Sequence, residues 1–357
     1  MTEMPQLAYQ GRKFMHTAVM VGCGAMSEGW LRALQDINAG GKRVEIVGFV
    51  DLDGELAQRR AQGSGFVNAA AGSDLADQLT RLKPDLVFDI VVPAARNDVV
   101  ARAFQAGCDV LSEKPMANSL ADAKALLESR RQSGRLHAVI QNRRFLKGIR
   151  RARNFLKSGA IGTVAEVHCD FFIAPHFGGF REDMAHVLLH DMAIHTFDAA
   201  RYVADLEPTR VFCHESNPVH SWYRHGASAV AIFECENDVT MTYRGSWCAE
   251  GAPTSWEASW RIVGSRGTLL WDGNEGFRAE IVKTKEGFLF PLESIEVPDL
   301  AEPFGGDGHA GVIADFLDAR ERGSVPLTDS ADNIRSLAMT FAAIQSAEDN
   351  QVVEIFV

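Results

Sequence analysis

Nine residues near the start of the chain, Val19-Met20-Val21-Gly22-Cys23-Gly24-Ala25-Met26-Ser27, constrain the fold more than any other segment. They join a Val-rich apolar run to a stretch with Met26, Trp30, Leu31, Leu34 and Ile37 at helical spacing. Gly22 permits a tight turn and Gly24 lets backbone approach a pyrophosphate. Ser27 is small enough for close helix–strand packing. The helix start then faces the phosphates with its partial positive charge. Glycine-rich turns of unrelated folds share this spacing, so its place between a strand and a helix carries the argument. A second strand, Val44 to Val50, ends at Asp51, 24 residues after Ser27. A carboxylate there accepts from both hydroxyls of an adenosine ribose and repels a 2′-phosphate, so NAD is expected over NADP. Asp53 competes with it as an ordinary strand-end acid. The cofactor contacts expected from this region are Gly22, Cys23, Gly24, Ala25, Met26 and Asp51.

The strand–helix alternation continues to about residue 137. Glu55 to Ala61 reads as helix, Leu86 to Val92 as a buried strand closed by Pro93, and Asp98 to Ala106 as helix. Asp109 to Ser112 reads as the next strand, and a helix opened by a Ser119/Asp122 capping box ends at Gly134. Such units make a doubly wound parallel sheet. Beyond residue 137 the pattern changes. A long helix is predicted over Met184–Val203. Strands follow at Arg210–His214, Val230–Glu234, Val239–Tyr243, Trp256–Ile262 and Thr268–Trp271, without helices between them. Two helices, His309–Arg320 and Ala331–Glu348, and a short strand Val352–Phe356 close the chain. The 357 residues therefore divide into an α/β Rossmann domain, 1–137, and an α+β domain with an open antiparallel sheet, 138–357.

Lys and Arg number 36 against 47 Asp and Glu, a net charge of −11. An acidic chain repels phosphate backbones, which argues against nucleic acid as a partner. The one dense basic stretch, Arg143 to Arg153, reads as a solvated helix face. No run of about 18 apolar residues occurs to span a membrane. Met1–Lys13 has no apolar core for a signal peptide and reads as a frayed tail. Six cysteines without C-x-x-C spacing read as buried, reduced thiols of a cytoplasmic protein.

Two motifs carry chemistry. Ser112-Glu113-Lys114-Pro115 ends a sheet strand at the edge where such sheets bind ligands. A Lys there can stabilise a developing alkoxide, although a solvated Lys before a helix is the ordinary reading. Asp191 and His195, four apart, share a helix face, with His195 suited to proton transfer. An unremarkable polar pair would look the same. His186, His190 and His195 cannot converge on a metal from one straight helix, so no metal site is expected. Trp247, Trp256, Trp260 and Trp271 read as core or subunit interface. His176–Arg181 reads either as a pocket loop or as a plain connector.

Together these motifs resemble the glucose–fructose oxidoreductase/inositol dehydrogenase/MocA family. The resemblance runs from Gly22 and Gly24 through Asp51, Ala106–Pro115, Asn142–Phe145 and Gly159–Gly162 to Asp191–Asp198. It implies NAD(H)-dependent hydride transfer involving a hydroxyl or ketone of a sugar, glycoside or cyclitol. Lys114, Asp191 and His195 are then the catalytic set. Glu113 meets the nicotinamide ribose, Pro93, Asn97 and Lys114 lie beside the cofactor, and the Lys114–Pro115 bond is cis. Arg144, Asp191 and His195 face the substrate. Two departures stand out: Asn97 occupies a position where relatives commonly carry His, and Leu188-Leu189-His190 replaces glycines ahead of the D-x-x-x-H motif. An NAD-dependent glycoside-cleaving enzyme and a nucleotide-sensing regulator are the alternatives on the same fold. The open sheet face is expected to pair copies into a homodimer or homotetramer.

Overall fold

The computed structural model describes residues 15–300 and 306–357, so the expected N-terminal tail, Met1–Lys13, lies outside the described residues. The first half alternates strand and helix. Its elements are β1 (His16–Val21), α1 (Met26–Ala39), β2 (Val44–Val50), α2 (Gly54–Gly63), β3 (Ala70–Gly72), α3 (Leu75–Leu82), β4 (Leu86–Asp89), α4 (Pro93–Gln105), β5 (Asp109–Ser112), α5 (Leu120–Ser133) and β6 (His137–Val139). The strands run β3-β2-β1-β4-β5-β6, all parallel. Order reverses between β1 and β4, which opens a crevice at the carboxyl ends of those two strands. Asp53 caps α2 by accepting from the Glu55 and Leu56 amides, and this leaves Asp51 alone at the end of β2. The expected strand over Leu86–Val92 stops at Asp89. Pro93 opens α4 at its first position, so this helix begins five residues before the expected Asp98. β3 is too short and small-residued to show a period in sequence.

The second half continues with α6 (Lys147–Lys157), β7 (Val164–Phe172), α7 (Ile194–Ala204), β8 (Pro208–Ser216), β9 (Ser228–Cys235), β10 (Thr240–Ser246), β11 (Ser259–Gly264), β12 (Gly267–Trp271), β13 (Phe277–Val282), β14 (Leu292–Ile295), α8 (Gly308–Arg322), α9 (Ser330–Asp349) and β15 (Val353–Glu354). Nine strands form one sheet in the order β14-β13-β12-β11-β7-β10-β9-β8-β15. Every neighbouring pair is antiparallel except β7 with β10. β7, unread in the sequence, precedes α7 yet lies between later strands, and this produces the one parallel pair. Along β9 the inward Ala229, Ala231 and Phe233 are buried, while Val230 and Ile232 stand exposed on the other face. Trp247, Trp260 and Trp271 fill the core, whereas Trp256 is about half exposed.

The two halves are not packed separately. α8 sets Val312, Ile313, Phe316 and Leu317 against Trp30 and Leu34 of α1 and Met20 and Phe88 of the parallel sheet. α9 gives Ile334 and Leu337 to the opposite face of that sheet, and Met339 and Ala343 to the second core. The Arg143–Arg153 stretch is not a solvated face. Arg143 pairs with Glu257, Arg144 with Asp198 and Asp332, Arg151 with the Val297 and Pro298 carbonyls, and Arg153 with Asp205. Each partner lies far along the chain, where a local reading of charge cannot see it.

Candidate active site

The glycine turn is built as its sequence requires. Gly22 adopts φ +94°, and a Cβ there would lie 2.6 Å from the Ile90 carbonyl, so only glycine fits between β1 and β4. A Cβ on Gly24 would meet nothing within 4 Å, which leaves open space above the turn. Gly24, Ala25 and Met26 are exposed at the start of α1. Asp51 Oδ2 accepts from the Cys23 amide at 2.7 Å, and Oδ1 from the Asp53 amide at 3.0 Å. The buried Cys23 thiol is pushed up to about 12 by burial and then by the Asp51 charge, so it is no nucleophile. An open turn, an uncapped helix start and a strand-end carboxylate together fit a dinucleotide.

Glu113 and Lys114 leave β5 at the same edge, and the Lys114–Pro115 bond is cis. The turn is gripped by Arg96, whose fully buried guanidinium binds Asp89 at 2.8 Å, the Val91 carbonyl at 2.6 Å and the Pro115 carbonyl. Glu113 is buried; it accepts from Trp30 Nε1 at 2.8 Å and the Lys114 amide at 3.0 Å, with His309 Nε2 3.7 Å away. Burial pushes its carboxyl up, but His309, Trp30 and the Lys114 charge more than offset that and hold it below its ordinary value. Asn97 donates to the Asp122 carbonyl of α5, and Pro93 sits at the first turn of α4.

Lys114 Nζ donates to Asp191 twice, to its carbonyl at 2.7 Å and to Oδ1 at 3.0 Å. Arg181 Nε takes Oδ2 at 2.8 Å. Burial raises the Asp191 carboxyl, but Lys114 and Arg181 outweigh it and keep it ionised below the usual range. His195 is driven well below 6.5 by burial and by the charges of Lys114, Arg143 and His309, and its Nδ1 is buried without a protein partner. The imidazole is therefore neutral at neutral pH. The motif does not lie on one long helix from Met184. Leu188–Ala193 is a π-turn that passes into α7 at Ile194. In that widened turn the helix's own ladder is interrupted, and the Asp191 carbonyl there takes the Lys114 ammonium.

Lys114, Asp191 and His195 thus converge across the two halves. Arg144 does not join them: its buried guanidinium is held by Asp198 at 2.7 and 2.8 Å, by Asp332 at 2.7 Å and by the Leu327 carbonyl. The adjacent Arg143 does, bonding Glu257 and the Trp256 carbonyl beside His195. Arg181 and His309 also join the site; their only sequence signals are the Gly178-Gly179 and Gly306-Asp307-Gly308 runs just before them. Arg181 packs 4.9 Å from the rings of Phe177 and Phe180, both well exposed, so the His176–Arg181 segment edges the site. His186 is engaged with Glu215 and Glu348. Among the described residues no group of three His, Cys, Asp or Glu side chains is placed to hold a metal.

Comparison with known proteins agrees with this layout. Residues 16–141 match the oxidoreductase family with an NAD-binding Rossmann fold, and residues 149–270 match the GFO/IDH/MocA C-terminal domain. A D-apiose dehydrogenase of Paraburkholderia graminis is 27% identical over 94% of this chain and 88% of its own. A scyllo-inositol 2-dehydrogenase (NAD(+)) of Bacillus subtilis is 22% identical, covering 76% of this chain and 78% of that one. An oxidoreductase from Agrobacterium radiobacter, solved with NAD+, L-tartaric acid and magnesium, superposes with a TM-score of 0.82 at 20% identity over 95% of this chain and 98% of the other.

Proposed function

The chain belongs to the Gfo/Idh/MocA family of NAD-binding oxidoreductases, and from that premise we propose that it is a dehydrogenase of a sugar or cyclitol hydroxyl. The observation that carries the reading is the Lys114–Asp191 contact beside a neutral His195. An ammonium has three protons, and two are committed to Asp191, which leaves one for a substrate oxygen. Bound NAD supplies the hydride acceptor. Lys114 lowers the pKa of the hydroxyl it touches and stabilises the alkoxide that forms. His195, neutral and so able to accept, takes the hydroxyl proton. The Lys114 charge that weakens His195 as a base also acidifies the hydroxyl beside it, so donor and acceptor shift together. Asp191, held ionised, orients a neighbouring hydroxyl. Asp51 favours NAD over NADP.

Relatives named for D-apiose and scyllo-inositol support a substrate drawn from sugars and small polyols. A panel of pentoses, hexoses, cyclitols and sugar acids with NAD+, followed by NADH absorbance, tests the proposal. Stoichiometric NADH from at least one polyol is expected. Cleavage of a glycoside without net NADH would instead favour the glycoside-cleaving alternative.

A further inference from the structure

Asp51 is not the only charge at the adenosine end of the crevice. Arg60, near the end of α2, reaches back over the glycine turn. Its Nε donates to the Cys23 carbonyl at 3.2 Å, Nη2 to the Gly24 carbonyl at 3.3 Å, and Nη1 to Glu28 Oε1 at 3.0 Å. Asp51 accepts from the Cys23 amide. One residue's backbone is thus held by an anion at its N–H and a cation at its C=O. The two side-chain charges therefore lie within about 10 Å, roughly one screening length at 0.1 M salt.

We propose that Arg60 is a second determinant of dinucleotide choice: a guanidinium beside the adenosine ribose, kept from use by Asp51 and Glu28, that receives the 2′-phosphate of NADP once the Asp51 charge is removed. This rests on reading Asp51 as the ribose acid. Three of the five guanidinium N–H groups are engaged, one on each nitrogen, and the two that remain can donate to a phosphate. Glu28 is about half exposed, so its hold on Arg60 is weak and easily surrendered. Asp51 and Glu28 against Arg60 leave the rim with one net negative charge, which repels a 2′-phosphate. Without Asp51 the rim is neutral and its cation is the nearest partner for that group. The sequence hides this because Arg60 follows Asp51 by nine residues and returns to the turn only through α2.

The test is calorimetric titration of the full chain with NAD+ and with NADP+. Asp51→Ala is expected to tighten NADP+ at least tenfold. Adding Arg60→Gln should weaken NADP+ by about 10–100-fold, as for loss of a charge-assisted bond, while NAD+ changes less than about threefold. Asp51→Ala with Arg60→Lys should keep most of the gain, and Asp51→Ala with Glu28→Gln should add to it. Equal NADP+ affinity with and without Arg60 in the Asp51→Ala background would overturn the proposal. So would a loss of NAD+ and NADP+ in equal proportion in both Arg60 variants, which would make Arg60 a clamp on the turn. Failure of the ribose reading looks different: Asp51→Ala would leave both affinities as in the unaltered protein, and the proposal would fall with it.

Discussion

Lys114 can be removed without touching the glycine turn, because none of the contacts at Gly22, Gly24 or Asp51 involves its ammonium. Lys114→Ala should therefore leave NAD+ binding near its original value while kcat falls about 10²–10³-fold, the usual cost of losing one electrostatic donor to a developing charge. Titration calorimetry beside steady-state kinetics separates the two effects. His195→Ala should cost about 10²–10⁴-fold in kcat and recover in part at high pH, where hydroxide accepts the proton. Lys114→Ala should show no such recovery in its pH–rate profile. Retention of more than about a tenth of kcat by either variant would contradict the assigned roles. These residues were legible because each sits in a short motif whose chemistry is local. Arg96, Arg143 and His309 were not, since the contacts that give them meaning are made by folding, and Arg181 was visible only as the end of a loop with two readings. Arg144 was placed in the pocket by likeness alone, while its ion-pair partners Asp198 and Asp332 lie 54 and 188 residues away.

At the scale of elements, the Rossmann half was readable because a parallel strand buried on both faces must be an apolar run, and helices between such strands must carry one apolar stripe. β7 does carry the alternation of a half-buried strand, Val167, Cys169 and Phe171 inward against Glu166, His168 and Asp170, and only its place ahead of α7, apart from the later run of strands, hides it; the π-turn is hidden because its residues would suit an α-helix equally well. α8 was found, but its destination was not. It carries His309 to Glu113 and is seated on Phe145 through Gly311, where a Cβ would lie 2.7 Å from Phe145 Cβ and from the Gly306 carbonyl. Gly311→Ala should therefore push α8 outward and cost about 1–3 kcal/mol, read as a lowered thermal midpoint. Because His309 moves with the helix, kcat should fall too. An unchanged midpoint would mean that α8 is not held where described.

For the whole molecule, buried imidazoles set the response to acid. Burial lowers His137 to about 3 and His190 to about 4, and His195 lies well below 6.5. At these three sites the folded protein binds fewer protons than the unfolded chain below 6.5, so their contribution to stability is full above that value and declines as pH falls toward about 4. His186, raised by Glu215, adds stability that is full below 6.5 and is lost as pH rises above it, and the carboxyls of Glu257 and Asp315, raised by burial, oppose the decline. Thermal melting between pH 7.5 and 4.5 should show the fall; a level or rising midpoint would contradict it. Phe212, Val230 and Ile232 stand at least a third exposed on the open sheet face, with Arg244 and Asp170 paired beside them. That face suits a second copy of itself, and sedimentation at micromolar concentration should give at least twice 39.1 kDa, reduced to one chain by Ile232→Arg. The return of α8 to the first sheet has a consequence for how the protein is made. As the chain leaves the ribosome, Met20, Trp30 and Phe88 wait without their cover until residue 317 has emerged, so the nucleotide-binding half, although synthesised first, cannot close its core until most of the second half has also been made. It is also not a portable part: cut out and fused elsewhere, it would carry an apolar scar the width of a helix.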